Sequence, residues 1–191
     1  MAVRGRKVRV HAGAVDDVTT GIARDLLIDG FGRIRDGVPE VVDGLTVDEL
    51  LWRPDPEANH IAWLVWHLAR QQDDQVAQLA AADDSVWRGD GWVERFGLPY
   101  PPRAHGWSMS AADVGRFTVA DPGLFAAYQA AVHERTVELV EALDDAAYGR
   151  VIDESWDPPV TVAVRIVSVL DDAAKHLGQA EYVRGLVERR R

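Results

Sequence analysis

The sequence contains no cysteine. Disulfides, thiolate-ligated zinc and a cysteine nucleophile are therefore excluded. Any metal must be held by His, Asp, Glu or backbone oxygen, and any thiol chemistry needs a thiol supplied from outside. An apolar run long enough to cross a bilayer is also missing, because Asp, Arg or Lys interrupts each candidate. The basic stretch from Val3 to Arg9 is followed by no continuous apolar segment, so no secretory signal is read and the cytoplasm is the expected location. Positive charge is in short supply. With 21 Lys and Arg against 31 Asp and Glu, the net charge is −10, and such a chain repels nucleic acid as a whole. Neither a nucleic-acid nor a membrane partner is expected. Two basic runs, Arg4 to Arg9 and Arg189 to Arg191, lie at the termini and are expected to be disordered, residues 1–12 as a flexible tail. There is no phosphate loop, dinucleotide fingerprint or Ser-His-Asp arrangement. No internal repeat, low-complexity segment or dividing linker occurs, so the 191 residues are read as one domain with a sizeable core.

What is present is helical periodicity. Ile22, Leu26, Leu27, Ile34 and Val38 predict a first helix from about Thr20 to Val42, with Gly37 and Pro39 marking a kink or an early end. Thr46 reads as the N-cap of a short turn, Val47 to Leu51. A second helix is expected from Asn59, as N-cap, to about Ala81. The connection from Asp83 to Asp121 is long and carries Trp87, Trp92 and Trp107; Ser110 and Asp113 predict one short helix within it. Asp121-Pro122 opens a third helix to about Leu143. A fourth follows Trp156-Asp-Pro-Pro159 and runs from about Thr161 to Glu188. Four such helices with little or no strand make an all-α four-helix bundle the economical fold, and the long connection permits a non-sequential topology.

The chemistry concentrates on the fourth helix. Asp172 and His176, four residues apart, leave one helix face. Val162, Val169, Ala173, Ala180 and Val183 mark that face as a core stripe, and an unpaired carboxylate there would be costly. His67, in the middle of the second helix, is the expected partner. A divalent metal on His67, Asp172 and His176 would satisfy all three; the plainer reading is that Asp172 and His176 only bond each other. Three protein ligands leave a coordination position open, as in catalytic sites. Two imidazoles and one carboxylate leave about one positive charge, which favours an anionic fourth ligand such as thiolate. Zinc is the expected ion, although nickel and iron accept the same donors.

Other residues carry weaker signals. Arg165, seven residues before Asp172, is expected to pair with Asp172, to receive an anionic substrate, or to snorkel. Gln179, one turn past His176, reads as a support to that ring, and Trp63 as a pocket wall. Arg70 and Asp74 read as a surface pair, His60 as a rim residue, and His105 and His133 as loop and helix-surface residues.

Four segments taken together resemble the DinB-like superfamily, and more narrowly its mycothiol S-transferase branch. They are Asn59-His-Ile-Ala-Trp-Leu-Val-Trp-His67-Leu-Ala-Arg70, Asp90-Gly-Trp-Val-Glu-Arg-Phe-Gly-Leu98, Trp156-Asp-Pro-Pro-Val-Thr161, and Val167 to Gly185 with Asp172 and His176. The resemblance implies a four-helix bundle with a metal near one end of its cavity, S-transfer from a low-molecular-weight thiol to an electrophile, and often a homodimer. In that superfamily one His on the second helix and a His-x-x-x-His pair on the last commonly hold the metal. His67 and His176 match, and Asp172 stands in place of the remaining His. The resemblance leaves two alternatives, a thiol-dependent isomerase of the maleylpyruvate type and a non-catalytic ligand- or metal-binding bundle.

Overall fold

The computed structural model describes residues 12–191, with side chains from residue 21 onward. Of the expected N-terminal tail, all but Ala12 lies outside the described residues. In chain order the elements are α1 (Ala12–Val42), α2 (Val47–Leu50), α3 (Ile61–Leu79), α4 (Val86–Gly89), α5 (Trp92–Phe96), α6 (Ala111–Val114), α7 (Gly123–Ala142), α8 (Asp145–Gly149), β1 (Val151–Asp153), β2 (Val160–Thr161) and α9 (Val162–Glu188). The fold is all-α apart from the small antiparallel pair β1–β2. No described helix is long and apolar enough to cross a membrane.

The long helices α1, α3, α7 and α9 form the bundle. α3 packs on α7 and α9, and α1 packs on the same two, so α1 and α3 lie diagonally opposed. Side-chain neighbours give the directions. His67 meets His176 while Gln75 meets Arg165, so α3 and α9 are antiparallel. Gly30 faces Leu170 and Gly37 faces Leu177, so α1 and α9 are parallel. Arg35 reaches His133 while Glu40 shares a cleft with Gly123, so α1 and α7 are antiparallel. α3 and α7 therefore run the same way although they are successive. The chain must return along the bundle between them, which explains the length of the connection.

That connection is held down by aromatic packing. Trp87, Trp92, Phe96 and Phe117 are buried against Trp66, Phe125 and Tyr128. Beneath them sits a buried polar group. Asp73 Oδ1 accepts the backbone N–H of Val86 at 2.9 Å, and its Oδ2 accepts that of Trp87 at 2.8 Å and the Tyr128 hydroxyl at 2.7 Å. Arg70 Nη1 lies 3.2 Å from the same Oδ2.

Several sequence expectations require correction. Arg70 does not form a surface pair with Asp74. It is wholly buried on Asp73, one residue nearer, because the connection closes over this face of α3. His60, not Asn59, caps α3, and it is buried rather than on the rim. Its Nδ1 accepts the Trp63 N–H at 3.0 Å, since Nδ1 is attached to Cγ just as the asparagine oxygen is. His133 is buried against Arg35 rather than on the surface. α1 starts before Thr20 and continues past Gly37. A Cβ at Gly30 or Gly37 would fall 2.8 or 2.6 Å from the methyls of Leu170 and Leu177, so these glycines admit α9 instead of ending α1. The C-terminal basic run is docked, with Arg191 Nε on Glu49 at 2.8 Å and Arg190 over the Trp52 ring. The acidic first turn of α2 supplies its counter-charge. α7 begins at Gly123, with Asp121 Oδ1 accepting its N–H; the connection holds three short helices, α4, α5 and α6, where one is expected, and α8 is a further addition. The caps at Thr46 and Ser110 are as expected; Thr46 and Glu49 form a reciprocal capping box.

Candidate metal centre

The three expected donors come together. One ligand atom from each of His67, Asp172 and His176 lies within 4.8 Å of the others. The centre sits at the edge of the core rather than in the stripe. Ala173 is buried on the stripe, and Asp172, one residue earlier, is turned about 100° away. The Asp172 side chain is 36% exposed and that of His176 19%, which leaves the donors open to a cleft.

Each imidazole has its second nitrogen engaged. His67 Nδ1 lies 2.5 Å from the backbone carbonyl of His105. A carbonyl only accepts, so Nδ1 carries the hydrogen and the Nε2 lone pair faces the centre. His176 Nδ1 donates to Gln179 Oε1 at 3.0 Å, and its Nε2 lies 3.5 Å from Asp172 Oδ1. Trp63 stacks on His67 with ring centroids 4.6 Å apart and is itself anchored on Met109, so the ring cannot swing. Gln179 thus lies against the His176 ring, and Trp63 backs the His67 ring rather than lining the neighbouring cleft.

The donor set fits a divalent cation. Asp172 Oδ2 is buried and has no hydrogen-bond partner. A bare Asp172–His176 pair would leave that oxygen and His67 Nε2 unsatisfied, whereas a cation satisfies both.

The titration behaviour separates the two imidazoles. Burial pushes His67 down to about 4, with the His105 carbonyl opposing. The hydrogen bond to Asp172 raises His176 above its ordinary value, with burial opposing, and the same bond holds Asp172 below the usual carboxylate range. A cation binds only the neutral imidazole. Its affinity is therefore expected to be level above the raised His176 pKa and to fall about tenfold per pH unit below it. At pH 6, where His67 is already neutral, uptake should release about one proton. Titration calorimetry in two buffers of different ionisation enthalpy measures this, and a release of two protons would contradict it.

The loop carrying His105 left no sequence signal, because it acts through a backbone carbonyl. Gly106 was equally silent. Its φ is +94°, and an added Cβ would overlap the His67 ring and stand 3.1 Å from Trp63 Cζ2. Gly106→Ala should therefore displace the ring and weaken cation binding by roughly 10–100-fold, the usual cost of losing the support behind a ligand. Competition with a chromophoric chelator reads this directly; an affinity unchanged from wild type would show that the loop does not hold the ring.

Beside the triad lies a cleft of about 480 Å³ whose walls include Asp172, His105, Val169, Trp107 and Trp156. Both tryptophans are largely exposed at its mouth. Arg165 also lines it. Arg165 does not pair with Asp172; its Nη1 donates to Gln75 Oε1 at 2.5 Å, and its Nη2 is 3.9 Å from Asp153.

The sequence profile of the DinB superfamily matches residues 31–180. The chain belongs to the DinB superfamily. A solved structure described as a conserved protein of locus from Enterococcus faecalis is 34% identical to this DinB protein. The match covers 85% of this chain and 95% of that one, with a TM-score of 0.80. A search of curated proteins found no match.

Proposed function

We propose that this DinB-superfamily protein is a metal-dependent thiol S-transferase of the mycothiol type. The observation that carries the reading is the buried, partnerless Oδ2 of Asp172, grouped within 4.8 Å with two imidazoles whose Nδ1 atoms are engaged elsewhere. His67, Asp172 and His176 would hold the ion, taken here as zinc, with nickel and iron accepting the same donors. A divalent cation there would supply the Lewis acidity that favours the thiolate form of a thiol at neutral pH. The thiol must be a separate molecule, since the chain has no cysteine. Its assignment to the mycothiol class rests on the resemblance of the four sequence segments.

The remaining roles fall to the protein's own side chains. Trp107, Trp156 and Val169 give the electrophile an apolar wall and keep water from its face. Trp63 and the His105 carbonyl fix the His67 ring, and Gln179 fixes that of His176. In the conjugation of a haloalkyl electrophile, the thiol proton passes to solvent and the sulfur forms a C–S bond. The carbon–halogen bond breaks and halide leaves with its electron pair.

Fluorescence of a chlorobimane–mycothiol mixture tests the proposal. Zinc-loaded protein is expected to accelerate conjugation, whereas chelator-stripped protein and His176→Ala should not. Full-rate conjugation by stripped protein would refute the reading.

A further inference from the structure

We propose that the cleft takes an elongated apolar molecule bearing a carboxylate, held by Arg165 and Arg150 two helical turns from the metal centre. This rests on the reading of the cleft as the electrophile's site and names the class of that electrophile. Arg165 precedes Asp172 by seven residues on α9, so the two share a face and stand about 10 Å apart along the axis. Arg165 and its hydrogen-bond partner Gln75 line both of two cavities. One is the apolar cleft with Trp107, Trp156 and Asp172. The other, about 310 Å³, is polar and lined by Arg150, Gln75, Gln78 and Asp153 among others.

The two arginines are placed to receive an anion. Arg165 presents five N–H donors. Gln75 takes one, and Asp153 Oδ2, at 3.9 Å, is too far for a hydrogen bond. The other oxygen of Asp153, Oδ1, accepts the backbone N–H and hydroxyl of Ser155. Arg150 is fixed at the start of α9, because its backbone carbonyl accepts the Val162 N–H at 3.0 Å. The N-terminus of α9 adds its own positive end there. In a chain of net charge −10, the polar cavity that meets the cleft at Arg165 thus carries two guanidiniums against one carboxylate. An aromatic body on Trp107 and Trp156 with a terminal carboxylate on the guanidiniums matches that wall, and charge-assisted, forked hydrogen bonds make arginine the suited receptor.

A biphenyl skeleton spans about the same two turns, about 10 Å. The inert acid 4'-methylbiphenyl-4-carboxylate and its primary amide are therefore the probes, titrated calorimetrically into cation-free protein at pH 8. The acid is expected to bind at least about tenfold more tightly than the amide. Arg165→Gln should erase that preference while leaving amide binding within about twofold, and Arg150→Gln should reduce it. Asp153→Asn, which removes the competing carboxylate, should widen it. Succinate, an anion without the apolar body, should not bind; if it binds as well as the aryl acid, the ligand is a hydrophilic anion and the proposal falls. Equal binding of acid and amide, or equal weakening of both by Arg165→Gln in protein of unchanged melting temperature, also overturns it. Should Arg165→Gln fail to fold, the Arg150→Gln and Asp153→Asn arms decide. Because these titrations use cation-free protein, selective binding without bimane conjugation would reject the S-transferase reading alone, and conjugation without selectivity would reject only this inference.

Discussion

His67→Ala is expected to abolish divalent-cation binding at the candidate centre. Two donors, Asp172 and His176, would remain on one face of α9, four residues apart and open to water. The loss should exceed the roughly 10–100-fold that follows removal of a hydrogen bond behind a ligand, because a ligand itself is gone. The substitution also leaves the His105 carbonyl without its donor and opens space under Trp63, so some stability will be lost. A control separates the two effects. His60 is also a buried histidine of α3, but it caps the helix and bonds the Val114 carbonyl at 3.1 Å, away from the centre. His60→Ala should cost about 0.5–2 kcal/mol as a lost cap and keep the cation. Elemental analysis after equilibrium dialysis against micromolar zinc gives the answer. Retention of one equivalent by His67→Ala would mean that α3 contributes no ligand.

Asp73→Ala is expected to be the most destabilising single change in the described core. Asp73 is 1% exposed and accepts from two backbone N–H groups, a tyrosine hydroxyl and a guanidinium. Burial raises its carboxyl above the usual range, and those donors pull the other way. Removing it leaves the Arg70 guanidinium charged in an interior site with 0% exposure. Breaking such a pair by deleting one member costs about 3–5 kcal/mol. Urea denaturation should show that loss, and a change below about 1 kcal/mol would show that the pair is not coupled to folding. Arg70→Met combined with Asp73→Leu should recover only the part due to the unpaired guanidinium, since the Val86 and Trp87 N–H groups and the Tyr128 hydroxyl still lack their acceptor. The effect reaches the metal centre as well. Arg70 Nε bonds the Ala104 carbonyl at 3.2 Å, next to the carbonyl that holds His67. Asp73→Ala should therefore weaken cation binding even where the protein remains folded.

The residues that the sequence made legible are those whose roles depend on helical spacing. Asp172 and His176 lie on one face by arithmetic alone, and a mid-helix histidine in an apolar segment needs an interior partner. What escaped was set by tertiary context. Arg70 and Asp74 have the spacing of a surface pair, and only the fold of the connection shows that this face is covered. Gly30 and Gly37 look like helix breakers in isolation, but their missing Cβ atoms let the side chains of Leu170 and Leu177 approach. Asp172 flanks the stripe rather than lying on it, because it is one residue, about 100°, from Ala173 while keeping the four-residue spacing to His176. His105 and Gly106 contribute a carbonyl and a left-handed bend, neither of which leaves a side-chain pattern.

His67 stands on α3, the second long helix of the chain, and the Asp172–His176 pair on α9, the last. During synthesis, the first donor emerges from the ribosome long before the other two. The site cannot assemble until α9 has been made and has docked against α3. Under the proposed reading, a cation could be held by all three donors only once α9 is in place, and it would then fasten the last helix to an earlier one, adding stability in proportion to the logarithm of its free concentration over its dissociation constant. Cellular metal supply would then govern the lifetime of the finished protein rather than its birth.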